Sequence, residues 1–165
     1  MLDPNEATIP RQLREAVENT FQTQAQLPVQ FCSVTTDDSS VNNKDTSYNC
    51  MSVIGISSDQ LSGTLALAFP KDTYLAVTER LLGDKQIDLT DDNADACSEL
   101  LNIIFASARI KINKSGFNFS PAIPTVATGE KLDIALSEKH KTLCLVFQTE
   151  YGKFLLAISL QRTKK

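Results

Sequence analysis

The chain has 165 residues, of which 42% are hydrophobic and 22% charged, and its formal net charge at pH 7 is −4. This length and composition are typical of one folded domain and exclude a wholly disordered chain, and no run approaches the roughly 18 apolar residues of a membrane span. The mildly acidic balance argues against a nucleic-acid-binding surface. Because the first residues carry no basic segment followed by an apolar run, we expect no secretory signal and a cytoplasmic protein.

The first half of the sequence predicts one helix followed by three strands. Apolar residues recur every four positions up to Phe21, which is the spacing of an amphipathic helix, and we place this helix at about 10–21. The almost entirely polar segment 35–49 is predicted to be a loop, and a shorter helix is predicted at about 72–82. Alternating or continuous apolar runs predict three strands, at 29–34, 50–56 and 63–69.

The second half repeats this order. Thr90, which can cap a helix, is followed by acidic residues that suit the positive end of the helix dipole, so we predict a long helix at about 90–115. Three more strands are predicted, at 125–128, 141–148 and 153–160. We therefore predict a single α+β domain over residues 1–165, in which long helices pack on a mostly antiparallel sheet.

The repeated order indicates that a unit of one helix and three strands has been duplicated. The predicted pseudo-repeats span about 8–70 and 90–160, with a linking helix at about 72–83. When the two long helices are superposed, Phe21 aligns with Phe105. Any two amphipathic helices and strand pairs share such features, so chance likeness is the alternative to a true duplication.

The residues that most often hold metals are poorly placed for a metal site. The only histidine, His140, has charged neighbours and no cysteine or histidine at ligand spacing. The cysteines are widely separated and lie in or beside apolar runs, so we interpret them as small buried residues; they are Cys32, Cys50, Cys97 and Cys144. We therefore expect no metal ligands, and no catalytic triad built on the histidine.

The long helix of the second half has one polar face. At 100° per residue this face comprises Asp95, Ser98, Glu99, Asn102, Ala106 and Arg109. A solvated surface is the ordinary explanation of such a face. Two details favour a function: Asn102 stands in mid-helix, where asparagine is a poor helix former, and the small side chain of Ala106 leaves room for another surface to approach.

Four residues in and after this helix resemble a family signature. Asp95 is followed after three residues by Glu99, after two more by Asn102, and after another 21 by Pro124. This spacing is similar to the signature of the CheC/CheX/FliY family of phosphatases, which act on the phosphorylated receiver protein CheY in bacterial chemotaxis. The resemblance covers most of the chain and implies a CheC-like fold.

The signature stands in only one of the two halves. In the alignment of the halves, Glu15 corresponds to Glu99 and Glu18 to Asn102, so the first helix has glutamate where the signature has asparagine. A single signature is similar to the CheX members of the family, which form homodimers. The resemblance therefore implies a homodimer with one active helix in each subunit.

The resemblance also implies a reaction and a role for each residue. The substrate would be the aspartyl phosphate of a CheY-like response regulator, whose receiver domain brings its own magnesium ion and lysine, so the phosphatase would need no cofactor of its own. Asn102 would orient the attacking water, and Glu99 would contact the lysine of the receiver. The positions expected to contact the partner are Asp95, Ser98, Ala106 and Pro124.

Two other functions stay open at this point. A non-catalytic module of the same fold would dock a receiver, a flagellar switch component or a CheD-type deamidase without hydrolysing phosphate. Alternatively, the chain shares only the fold and holds a ligand in a groove between its helices. No nucleotide-binding fingerprint supports that last function, because the six glycines are dispersed.

Overall fold

The structure is a computed structural model that describes residues 6–36, 47–133 and 142–163. The described residues form three helices and six strands, in the order α1 (Thr8–Ala25), β1 (Gln30–Thr35), β2 (Cys50–Ser57), β3 (Leu61–Phe69), α2 (Lys71–Leu82), α3 (Asp91–Lys114), β4 (Thr125–Thr128), β5 (Leu143–Thr149) and β6 (Gly152–Arg162). The alternation of helical and extended periods in the sequence predicts every one of these elements.

The six strands form one antiparallel sheet in the order β1-β5-β6-β3-β2-β4. At its centre β3 pairs with β6, where Leu65 lies opposite Ile158 and Ala66 opposite Ala157. This order is symmetric: when β1 is exchanged with β4, β2 with β5 and β3 with β6, the same order results, read from the other end of the sheet. The predicted α+β architecture is confirmed, and a duplicated unit would produce this symmetry; the duplication and its boundaries stay predictions.

Helices α1 and α3 pack beside each other, and the main core lies between them and the sheet. The centre of this core is aromatic: the ring of Phe154 stacks on Phe21 with 4.7 Å between centroids, on Phe69 at 4.9 Å and on Phe147 at 5.3 Å. Burial of this apolar surface is what holds the helices in fixed positions on the sheet.

The first helix is longer than its sequence pattern predicts. It begins at Thr8 and ends at Ala25, instead of covering 10–21. Tertiary packing explains the extra turns, because Ile9 and Ala25 are both buried. Pro10 is tolerated in the first turn, where its missing N–H would have no partner within the helix.

One of the four cysteines is not buried, contrary to the prediction. Cys32 is exposed because β1 is an edge strand with little covering it, whereas Cys50, Cys97 and Cys144 are buried as expected. Two further expectations cannot be compared with the structure: most of the predicted loop at 35–49, and His140, lie outside the described residues.

Candidate functional site

The start of α3 is fixed by a network of polar contacts. The Asn93 N–H donates to the Thr90 hydroxyl at 3.1 Å, and the Thr90 N–H donates back to the Asn93 side-chain oxygen at 2.8 Å, which is a capping box. The Asn93 amide nitrogen also donates to the Asp88 carbonyl at 2.7 Å, and the Tyr74 hydroxyl donates to the Asn93 carbonyl at 2.6 Å. These bonds hold the first turn of the helix in one orientation.

The N-terminal half of α3 is fixed to the sheet through Cys97. The Ser52 hydroxyl donates to the Cys97 carbonyl at 2.9 Å, and the Cys97 thiol donates to the Ser52 hydroxyl at 3.3 Å. Burial, reinforced by the neighbouring Cys50 thiol, raises the pKa of Cys97 well above its ordinary value. The thiol therefore stays protonated and packs as a small apolar group, so it is no candidate nucleophile.

The end of α3 is bonded to the chain that follows it. The Asn113 side chain donates to the Phe119 carbonyl at 3.0 Å and accepts from the Phe119 N–H at 2.7 Å. The Arg109 guanidinium donates to the same carbonyl at 3.4 Å, and the Phe119 ring meets Phe105 edge-on at 6.5 Å between centroids. The connection from α3 to β4 therefore lies along the helix.

The exposed face of α3 presents polar side chains that have no partner in the described parts of the chain. Asp95, Glu99 and Asn102 are exposed, and none of their side chains makes a hydrogen bond or ion pair with another described residue. Ser98 is half-buried, and its hydroxyl donates to the Asp95 carbonyl at 2.9 Å. Ala106 is exposed one turn after Asn102. A carboxylate and a carboxamide thus stand side by side, available to another molecule.

Pro124 lies in the connection beside this helix. It is half-buried and directly precedes Thr125, which pairs with Val53 on β2. The preceding residue of β2, Ser52, contacts Cys97 of α3. The strand β4 therefore begins beside the N-terminal half of the helix. By strand alternation, Pro124 shares a face with Val126, which packs against the core beneath the helices.

Two features of the site region do not follow from the sequence pattern. The helical spacing predicts that Arg109 lies on the solvated face, yet it is half-buried and bonded to Phe119. The bond between Asn113 and Phe119 is also missed. The one available signal is the asparagine in the last turn of a helix, a residue that often bonds to nearby backbone.

The groove between α1 and α3 is small. Its volume is about 150 Å³, and it is lined mainly by polar side chains, among them Gln12, Glu15, Asn19, Ser107 and Lys111. Pockets that hold small-molecule ligands usually measure roughly 300–1,000 Å³. The groove therefore gives little support to a ligand bound between the helices.

The described residues contain neither a cluster of metal-binding side chains nor a helix that could span a membrane. No group of three or more histidine, cysteine, aspartate or glutamate side chains in residues 6–36, 47–133 and 142–163 is placed to hold a metal ion. None of the helices in these ranges combines the length and the apolar character needed to cross a membrane.

Comparison with known proteins identifies the family. The family model described as chemotaxis phosphatase CheX matches residues 50–148, more than half of the chain, and includes Asp95, Glu99, Asn102 and Pro124. No curated protein matches the sequence significantly.

Solved structures show the same fold. A chemotaxis protein CheX from Vibrio vulnificus matches with a TM-score of 0.82 and 19% identity, over 93% of this chain and 99% of that one. A chemotaxis protein CheX from Desulfovibrio desulfuricans matches with a TM-score of 0.79 and 25% identity, over 93% and 99% of the two chains. CheX from Borrelia burgdorferi, in a complex with CheY, BeF3 and Mg²⁺, matches with a TM-score of 0.74 and 14% identity, over 92% and 97%. The chain belongs to the CheX family of chemotaxis phosphatases.

Proposed function

We propose that this protein hydrolyses the aspartyl phosphate of a CheY-like receiver domain by placing α3 against the phosphorylated pocket. The observation that carries the proposal is the pair Glu99 and Asn102, which are exposed and have no described partners. They stand on a helix that is anchored at its start, in its N-terminal half at Cys97 and at its end. Membership of the CheX family supports it, and so does the Borrelia burgdorferi relative, whose structure is a complex with CheY, BeF3 and Mg²⁺.

Asn102 orients the attacking water. An acyl phosphate is already reactive, so most of the remaining barrier lies in holding water in line with the phosphorus. A carboxamide accepts a hydrogen bond from water through its oxygen and donates through its nitrogen without needing a shifted pKa. Neither the oxygen nor the nitrogen of the Asn102 carboxamide bonds to another described residue, so both are available to hold the water.

Glu99 aligns the helix in the pocket. It lies three residues before Asn102 on the same face, which is a separation of roughly 4.5 Å along the helix axis. Its carboxylate pairs with the receiver's lysine in a charge-assisted contact, so that both binding and rate depend on it. Four other residues complete the contact with the partner: Asp95, Ser98, Ala106 and Pro124.

The metal ion of the reaction belongs to the substrate protein. Mg²⁺ on the receiver neutralises the charge on the phosphoryl group, and the phosphatase contributes position and hydrogen bonds. The absence of a cofactor on this chain, its homodimeric state and its cytoplasmic location are part of the proposal and follow from the family resemblance and the sequence.

The experiment is phosphate release from phosphorylated receivers in the presence of Mg²⁺, with and without this protein. We expect catalytic amounts of the protein to accelerate release from at least one receiver in a panel, and Asn102→Ala to abolish the acceleration. A complex that forms with an unchanged rate of release would instead show the non-catalytic docking module.

A further inference from the structure

The exposed face of α3 continues beyond Asn102 with two apolar side chains. Asp95, Glu99, Asn102, Ala106 and Ile110 follow one another at spacings of three or four residues, so they form one stripe along the helix. Ile110 is 61% exposed. The stripe is therefore polar at Asp95, Glu99 and Asn102 and apolar at Ala106 and Ile110.

Ile110, at the end of this apolar part, lies on a length of helix that α1 lacks. Adding 84 to the residue numbers of α1, as the alignment of Phe21 with Phe105 requires, places its last residue, Ala25, at the position of Arg109. The extension of α3 from Ile110 to Lys114 has no counterpart in α1. Asn113 bonds this extension to Phe119, so Ile110 is presented on a rigid surface.

We propose that Ile110 is a docking contact for the receiver domain and packs on an apolar surface beside the phosphorylation pocket. This inference rests on the proposed function, because it takes the position of the receiver from Asn102. Ile110 lies eight residues after Asn102, which is roughly 12 Å along the axis. When Asn102 lies in the phosphorylation pocket of the receiver, the rim of that pocket lies over the next two turns of α3, where Ile110 stands.

The small side chain of Ala106 fits this arrangement. It separates Asn102 from Ile110 without raising the surface between them, so a partner can contact both at once. An apolar contact at the edge of the site adds affinity by removing apolar surface from water, and it takes no part in hydrolysis. Ile110 therefore sets affinity and receiver preference, while Asn102 sets the rate.

The test measures binding and turnover separately, on Ile110→Ala, Ile87→Ala and Asn102→Ala. Ile87 is the matched control, since it is an isoleucine with 84% exposure that lies before α3 and off the stripe. The binding probe is a CheY-like receiver carrying beryllofluoride and Mg²⁺, and turnover is phosphate release at saturating phosphorylated receiver. We expect Ile110→Ala to weaken binding roughly tenfold with an unchanged maximal rate, and Ile87→Ala to behave as the wild type.

The outcomes distinguish the two proposals. Unchanged binding by Ile110→Ala, together with lost turnover in Asn102→Ala, would overturn the docking contact and leave the proposed function intact. Weakened binding by Ile110→Ala, together with normal phosphate release by Asn102→Ala, would overturn the proposed function and leave the docking contact intact. If Ile110→Ala instead changes the sedimentation of the free protein, the contact belongs to a second copy of the chain and the docking proposal is wrong.

Discussion

Helices α1 and α3 have similar buried faces and different exposed faces. Most of their buried positions coincide when 84 is added to the numbers of α1, pairing Leu13 with Cys97, Val17 with Leu101 and Phe21 with Phe105. On the outside, Glu15 and Glu18 stand where α3 has Glu99 and Asn102. Packing on the sheet therefore does not require the signature residues, and their side chains are available to another molecule.

The side chain that replaces asparagine on α1 is engaged within the protein. Glu18 accepts from the Arg14 guanidinium at 3.0 Å, and this guanidinium lies 4.1 Å from the centroid of the Phe31 ring. The corresponding surface of α3 has Ser98 in place of Arg14, and Asn102 is left without a described partner. On α1 the side chain at this position is therefore already paired within the protein, whereas on α3 it is available to another molecule.

The largest expected effect is that of Asn102→Ala. We expect acceleration of phosphate release to fall by roughly 100-fold or more, because loss of a group that holds the reacting atoms in place costs about this much. Single-turnover release from a phosphorylated receiver measures it. Asn19→Ala, which removes an exposed asparagine from α1, is the control and should leave the rate unchanged. Equal effects of the two changes would remove the distinction between the helices.

The corresponding glutamates of the two helices give the second comparison. We expect Glu99→Ala to lower kcat/KM roughly tenfold, since a charged contact with the receiver's lysine is lost. Glu15→Ala, at the aligned position on α1, should have no effect. The measurement is release at several receiver concentrations, with and without added salt. A Glu99→Ala variant as active as the wild type would exclude the proposed contact.

The starts of the two helices differ in how they are stabilised. Asn93 is buried and closes the capping box of α3, whereas the aligned residue of α1 is the apolar Ile9 and α1 has no side-chain cap. We expect Asn93→Ala to lower the free energy of unfolding by about 2 kcal/mol, because the return bond of the capping box and the bond to the Asp88 carbonyl are both lost. Urea unfolding measures this, with Asn19→Ala as the control. An unchanged midpoint would show that core packing alone fixes the helix.

Local patterns in the sequence predict most of the fold, and pairing between distant residues accounts for what they miss. The period of apolar residues gives the helices and strands directly. The exposure of Cys32 depends on β1 being an edge strand, which strand order decides and a local pattern does not contain. The residues added at the two ends of α1 depend likewise on the burial of Ile9 and Ala25.

Local spacing likewise predicts one part of the candidate site and misses the part that depends on distant contacts. Asp95, Glu99 and Asn102 share a helix, so their common face follows from their spacing, and the structure has all three exposed. The role of Arg109 does not follow, because its contact with Phe119 depends on how the chain turns after the helix. Pro124 is identified only by the family resemblance, since its position beside α3 comes from the pairing of β4 with β2.

The smallest expected effect sharpens the comparison most. Glu18→Asn gives α1 the same glutamate and asparagine spacing as α3, and we introduce it together with Asn102→Ala. We expect no recovery of phosphate release, because the Arg14 side chain still lies over Phe31 and α1 ends before the position that corresponds to Ile110. Release should stay at the rate of Asn102→Ala alone.

Recovery in that double variant would show that spacing on any anchored helix is enough. In that case the surroundings of α3 would contribute little, and the docking contact at Ile110 would lose its support. Adding Arg14→Ser, which copies the residue found at Ser98, clears the surface of α1 and isolates the remaining difference. If release stays slow even then, what α1 lacks is the surface that brings the receiver to the helix, namely the extension from Ile110 to Lys114 and the connection through Pro124.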